Sequence, residues 1–241
     1  MTKPDQNRLF QALDATWPPA RVFDKDGWRL RVGEGGGQRV SAATAITADA
    51  RISDAETAMT DLGQRPLFMI RHNDDALDNR LEARGYDIVD PVVLYLVSPR
   101  DIARLPPPSL AVAAWPPLAI QRDLWKKAGV SEARIAIMHR AKAPKTTFLC
   151  RTEDTPAGMV FVAVDGDIAM LHALEVAPDQ QRQGLGELAV RAVADWAVKN
   201  GANWLTLAVT KANAAANGLY RKLTMEPAAS YQYRRAPEPQ A

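Results

Sequence analysis

Apolar positions fall in short blocks along the chain. Their spacing alternates between the strand period of two and the helical period of 3.6. In the first half, residues 8–15 carry a short helical pattern and residues 67–70 form an apolar strand. Strands are expected at 28–32 and 38–45, joined as a hairpin by the glycine-rich turn 33–37. Ser53 and Glu56 have the spacing of a capping box, so a helix should start at Ser53 and run to Leu62. Residues 75–84 read as a helix stopped by Gly85, and residues 86–97 as a strand rich in β-branched side chains.

The second half opens with helices at 118–128 and 132–140, then strands at 146–151, 158–164 and 168–176. Asp165 and Gly166 mark a tight hairpin between the last two strands. Leu185, Leu188, Ala189, Ala192, Val193, Trp196 and Ala197 make one face of a helix. Glu187/Arg191 and Asp195/Lys199 lie four apart on its outer face, and Asn200 with Gly201 stops it. A strand, a helix and a last strand follow. Strands leading into a β-α-β-α-β succession indicate an α/β (α+β) fold with a mixed sheet flanked by helices. Residues 98–118 hold six of the 17 prolines and read as an extended connection between two halves. The expected division is an N-terminal domain 1–105, a proline-rich linker 106–117, a C-terminal domain 118–235 and a disordered tail 236–241.

Composition narrows the function classes. Thirty Lys and Arg against 28 Asp and Glu give a net charge of +2, so the concentrated basic excess of a nucleic-acid binder is missing. The single cysteine, Cys150, excludes an intrachain disulfide and a cysteine-rich metal site; it reads as a buried, inert thiol. His72, His139 and His172 have no metal-ligand spacing, so no metal is expected. No apolar run nears the ~20 residues of a membrane span, and the first residues lack a secretory core. A cytoplasmic protein with no membrane or nucleic-acid partner is therefore expected. A homodimer paired through a sheet edge fits the same reading.

The chemistry concentrates between Leu171 and Glu187. An apolar strand breaks at Pro178, passes through a polar turn with Gly184 and Gly186, and becomes a helix. The first N–H groups of a helix have no internal partners and carry partial positive charge, which suits a phosphate. Arg182 adds a cation, and the two glycines let backbone approach a bulky anion. The turn fits neither a dinucleotide-binding Gly-x-Gly-x-x-Gly, because residue 189 is Ala189, nor a P-loop, because no Gly-Lys-Ser/Thr follows.

Val176, Pro178, Gln181, Gly184 and Gly186 match the pattern Val-x-Pro-x-x-(Gln/Arg)-x-x-Gly-x-(Gly/Ala). This resembles the acetyl-CoA motif of the GNAT acyltransferase superfamily. A weaker form of a second family motif follows in Asn213, Ala216, Leu219, Tyr220 and Leu223, with Thr224 and Met225 where the family has Gly-Phe. The resemblance covers residues 146–235 and implies the GNAT fold, a mixed, mostly antiparallel twisted sheet flanked by helices. Asn73, Ala76, Leu81, Gly85 and Tyr86 echo the second motif, so the first half resembles a degenerate GNAT-like unit without CoA.

The resemblance also implies roles. Backbone N–H groups of Gln183, Gly184, Leu185, Gly186 and Glu187, beside Gln181 and Arg182, would hold the pyrophosphate. Leu174, Glu175 and Val176 would pair with the pantetheine, with Asn213 and Ala216 at the helix beyond it. Tyr220 would protonate the departing thiolate. His172 or Glu175 would take the proton of the attacking amine, because an alkylammonium has a reference pKa of ~10.4. The strand 171–176 resembles that of arylalkylamine N-acetyltransferases, whose histidine assists this step. His172 and Glu175 have opposite parity on a regular strand, and only a bulge would bring them together. Trp17, Trp28 and Trp125 are candidates to line an acceptor pocket. The implied activity is acetyl transfer from acetyl-CoA to a primary amine in a ternary complex. A non-catalytic acyl-CoA-binding module is the alternative.

Overall fold

The computed structural model describes residues 2–107, 109–142 and 144–238. Pro108 of the expected linker and residues 239–241 of the expected tail lie outside the described residues. The chain begins α1 (Gln6–Thr16), β1 (Arg21–Lys25), β2 (Trp28–Val32), β3 (Thr44–Ala45), α2 (Ile52–Asp61), β4 (Leu67–Arg71), α3 (Asp75–Glu82) and β5 (Asp87–Val97). It continues α4 (Pro99–Ile102), β6 (Ala111–Ala114), α5 (Ala119–Lys127), α6 (Glu132–Arg140), β7 (Lys145–Thr152), β8 (Thr155–Asp165) and β9 (Ile168–Val176). The last elements are α7 (Leu185–Lys199), β10 (Trp204–Thr210), α8 (Ala214–Lys222) and β11 (Glu226–Arg235).

The contacts divide the chain into two units. The first unit holds Met1–Pro18, Leu94–Val209 and Asn213–Ala228. Its strands run in the order β10-β9-β8-β7-β6, with the end of β5 beside β10. The pairs β6–β7, β7–β8 and β8–β9 are antiparallel, and β9–β10 is parallel. This is the mixed, mostly antiparallel sheet expected from the order of elements. Residues 157–164 of β8 are all buried, as an apolar run covered on both faces must be. Helix α1 packs on β8 and β9, and α7 packs on β7, β8 and β9. Val190 and Ala194 of α7 are buried where Leu188 and Trp196 were expected; those larger residues sit half-buried at the margin. The proline-rich stretch is only partly a connection, because Ala111–Ala114 pairs with β7.

The second unit holds Pro19–Val93, Thr210–Ala212 and Ala229–Ala241. Strands β1, β2 and β3 form an antiparallel sheet, and β4 pairs with β11. Its core gathers Trp28, Leu30, Ile52, Met59, Phe68, Leu81 and Tyr86. Three local expectations are corrected here. The hairpin joins β1 to β2 through Asp26 and Gly27, whose φ angles of 50° and 81° suit a tight turn; the glycines at 33–37 are not a hairpin. Residues 38–40 form a short 3-10 helix rather than a strand. Helix α2 starts one residue before Ser53, with Arg51 at its N-cap and no side-chain cap, so the capping box does not form. Trp28 and Trp125 are fully buried core residues and Trp17 is 3% exposed; Trp28 borders a cavity of the second unit, beside Ala45, Asn73 and Arg80.

Arg234 anchors this second unit. Its side chain is 5% exposed and donates to both carboxylate oxygens of Asp78, at 2.7 and 3.1 Å, and to the Tyr86 carbonyl at 2.9 Å. The Arg234 hydrogen bonds hold the Asp78 carboxyl below the ordinary carboxylate range. A depressed pKa stabilises the fold above the unfolded value, and that contribution disappears as pH falls through the folded one. Asp78→Ala should therefore cost about 3 kcal/mol at pH 7, the low end of the range for breaking a mostly buried pair. Urea unfolding at pH 7 and pH 3 checks this: the gap between variant and parent should close in acid.

Candidate active site

The site is built at the point where β9 and β10 separate. Their parallel ladder runs from Trp204↔Ile168 to Leu207↔Leu171 and stops there, although both strands continue. Beyond it, residues 173–176 and 208–210 are only partly buried, whereas the paired residues except Trp204 are buried. The diverging edge of β9 thus presents backbone hydrogen-bonding groups to a gap.

The same strand carries a bulge. Phe161 pairs with His172 and Met159 with Glu175, so two steps on β8 are matched by three on β9. Ala173 and Leu174 together face Val160, and Ala173 takes a φ of 49°. The extra residue puts His172 and Glu175 on one face of the sheet. That is the condition under which the sequence allowed both to serve one site.

Their environments differ. His172 is 4% exposed and stacked on Trp17, with ring centroids 4.9 Å apart. Its Nε2 lies 2.8 Å from Thr16 Oγ1, and that hydroxyl is 2.6 Å from the Ala12 carbonyl. A carbonyl only accepts, so the hydroxyl proton goes to Ala12, and Nε2–H must donate to Thr16. Glu175 is half-buried. Burial raises its carboxyl pKa, and the charge of Arg134 offsets part of that rise. Arg134 stands over the Trp17 ring at 5.7 Å.

Tyr220 lies on α8 and is 5% exposed, its ring 5.7 Å from that of Tyr95. Burial raises its pKa, and the Glu175 charge raises it further. The phenol is thereby held protonated. Asn213 caps α8 by accepting from the Ala216 N–H at 3.0 Å. Asn217 Nδ2 donates to the Asn213 carbonyl at 2.6 Å, and Tyr95 donates to Asn217 Oδ1 at 3.1 Å. Asn213 and Ala216 thus define the start of the helix that carries Tyr220.

The turn ahead of α7 keeps the expected form. Gln181, Arg182, Gln183 and Gly184 are exposed, and the first intrahelical bond runs from Leu188 N–H to the Gly184 carbonyl at 2.9 Å. Gln181 Nε2 donates to the Val176 carbonyl at 3.2 Å, tying the turn to the end of β9. The two glycines have separate reasons. Gly184 adopts a φ of 85° with open space around it, whereas a Cβ on Gly186 would stand 3.0 Å from Leu219 of α8. Glu187 receives Lys222 at 2.7 Å and Arg191 at 2.9 Å, which holds its carboxyl below the ordinary range and links α7 to α8. Leu185 is buried and anchors the helix start. Leu174 and Val176 lie on the diverging edge of β9.

Cys150 is fully buried, and burial pushes its thiol up to about 12, far from a nucleophile. No group of three or more His, Cys, Asp or Glu able to hold a metal occurs among the described residues. No helix among them is long and apolar enough to cross a membrane. Sequence reasoning missed Thr16 as the partner of His172, Arg134 as the charge near Glu175, and Lys222 as the brace on Glu187. These are contacts over long or intermediate sequence separation and leave no local pattern.

Residues 110–225 match the family model described as Acetyltransferase (GNAT) family. The uncharacterized N-acetyltransferase YobR of Bacillus subtilis (strain 168) is 31% identical over 98 residues. That match covers 41% of this chain and 40% of YobR, so it spans less than half of this relative. A GCN5-related N-acetyltransferase from Kribbella flavida has a TM-score of 0.72 at 19% identity, over 96% of this chain and 95% of that one. A tandem GNAT protein from the clavulanic acid biosynthesis pathway has a TM-score of 0.63 at 12% identity, over 94% and 87%. The structural likenesses establish the fold.

The two glycines of the turn should respond differently to alanine. Gly184→Ala forces a side chain into the left-handed region and should cost about 1 kcal/mol. Gly186→Ala meets only the tip of a leucine, which can turn aside, and should cost less. Thermal unfolding of both variants gives the comparison; equal losses would sink this assignment.

Proposed function

We propose that the chain, which matches the acetyltransferase (GNAT) family model through residues 110–225, acts as a member of that family and moves an acetyl group from acetyl-CoA directly onto a primary amine. The observation that carries this reading is the gap between β9 and β10, with Glu175 and Tyr220 interacting beside it. Acetyl-CoA supplies the activated acyl group. The residues fit such a molecule: the turn 181–187 offers exposed N–H groups at a helix start, and Leu174, Glu175 and Val176 offer an open strand edge. Arg182 adds a cation at the turn.

Glu175 is the proposed general base. A half-buried carboxyl with a raised pKa is matched better to amine deprotonation than an ordinary one. His172 uses Nε2–H to hold Thr16 and is packed against Trp17, so we assign it to the wall of the acceptor side. Glu175 takes one proton from the ammonium; after attack the nitrogen loses its second, which replaces the proton Tyr220 gives to the departing thiolate, so the products are amide, thiol and one proton that Glu175 passes to solvent. The second unit is proposed to be a degenerate GNAT-like half. Its order β3-α2-β4-α3-β5 repeats the order β9-α7-β10-α8-β11, and Ala43 bridges Phe68 in parallel as β9 does β10. A cytoplasmic location is part of the same proposal.

Thiol release from acetyl-CoA over a panel of amines tests the reading. Tyr220→Phe should lower kcat by about 10²–10⁴-fold, the range for loss of a positioned proton donor, while the acetyl-CoA Kd changes little. For the parent, kcat/KM should fall as pH drops through a pKa above the usual Glu value, because only the deprotonated carboxylate accepts the proton. Glu175→Gln should remove that acid limb together with most of the rate. Full activity in both variants would overturn the assignment.

A further inference from the structure

We propose that Trp125 is a positioning residue whose indole N–H locks the β9 bulge and so keeps Glu175 on the reacting face. The proposal rests on Glu175 serving as the base. On a regular strand, residues three apart point to opposite faces, so Glu175 shares a face with His172 only while the extra residue is held in place. Nothing in the local sequence favours that. Ala173 sits at a φ of 49°, a conformation that alanine adopts poorly. Ala173 and Leu174 share one opposite residue, Val160, so the ladder between β8 and β9 is interrupted there.

The compensation comes from 48 residues earlier in the chain. Trp125 of α5 donates from Nε1 to the Ala173 carbonyl at 2.9 Å. Its side chain is fully buried, so water does not offer this N–H a substitute. The Trp125 carbonyl in turn accepts the Val130 N–H at 2.8 Å, which fixes the end of α5 that carries the indole. Regularising β9 would break the indole bond and strand a buried donor. Keeping the bulge satisfies it. The bond therefore couples α5 to the face on which Glu175 stands, without touching a reacting atom.

The test uses the full chain. Trp125→Phe removes the donor and keeps an aromatic ring. It should lower kcat about tenfold, the scale of one lost buried hydrogen bond. The acid limb of kcat/KM should shift toward the ordinary Glu range as Glu175 leaves its half-buried place. Adding Ala173→Gly should recover most of the loss, because glycine takes a positive φ without strain and holds the bulge unaided. A role of Trp125 in packing alone gives no such rescue. Benzothienylalanine at position 125, which keeps the shape of indole without the N–H, serves if the phenylalanine variant does not fold, and should give the same loss. Parental kinetics in either replacement, or a double variant no better than Trp125→Phe, overturns the proposal. Amide hydrogen exchange at Leu174 and Glu175 separates this from a failure of the base assignment. If Glu175→Gln proves harmless, faster exchange in Trp125→Phe still establishes the lock, and unchanged exchange refutes it.

Discussion

One extra residue in β9 sets the geometry on which the rest of the site depends. The bulge at Ala173 and Leu174 changes the parity of the strand beyond His172. It comes just after the last paired residues of β9 and β10, Leu171 and Leu207. Two consequences follow from one irregularity. The strand bends where its parallel neighbour leaves it, which opens an edge, and Glu175 turns to the face that carries His172. A regular strand would supply neither. The apolar core beneath makes such a distortion affordable, because β8 is buried along its length between helices and holds the register on either side of the bulge.

Burial acts in one direction on each acidic group of this region. It raises the carboxyl of Glu175, the phenol of Tyr220 and the thiol of Cys150. An unperturbed phenol, at ~10, is a weaker acid than an unperturbed thiol, at ~8.5, so transfer from tyrosine to a thiolate is uphill in water. A thiolate formed in a closed site suffers the same desolvation as Cys150, and its affinity for a proton rises in step. In the proposed reaction, proton transfer from Tyr220 is therefore less uphill than the raised phenol alone implies. The Glu175 charge adds to this by keeping the phenol neutral until the carboxylate has been protonated.

Much of this was legible in the sequence, and the pattern of success has a physical reason. Local signals were read correctly: Ile168–Val176 as a strand, Glu132–Arg140 as a helix, the Asp165–Gly166 hairpin, and the glycine turn ahead of α7. Each depends on neighbours within a few residues. The turn 33–37 misled because glycine permits a hairpin without requiring one, while Asp26 and Gly27 made the tighter turn seven residues earlier. Ser53 misled because Ile52, two percent exposed, is drawn into the core and starts α2 before the serine can cap it. The sequence motif explains Gly186 by close approach to an anion, whereas its nearest constraint in the structure is Leu219 on another helix.

The bulge shows why the base was ambiguous from sequence. Parity along a strand is readable, but an inserted residue reverses it, and the group that stabilises the insertion lies in α5. Val160, Ala173 and Leu174 carry no composition that marks them. The choice between His172 and Glu175 was therefore a tertiary question from the start. His172 finds partners at the end of α1, where Thr16 accepts from Nε2–H and Trp17 stacks on the ring. Glu175 finds burial, which raises its proton affinity, with the charge of Arg134 offsetting part of the rise. The same strand thus presents one ionisable group bonded into the packing of α1 and another whose proton affinity burial raises, and it is long-range packing that makes them differ.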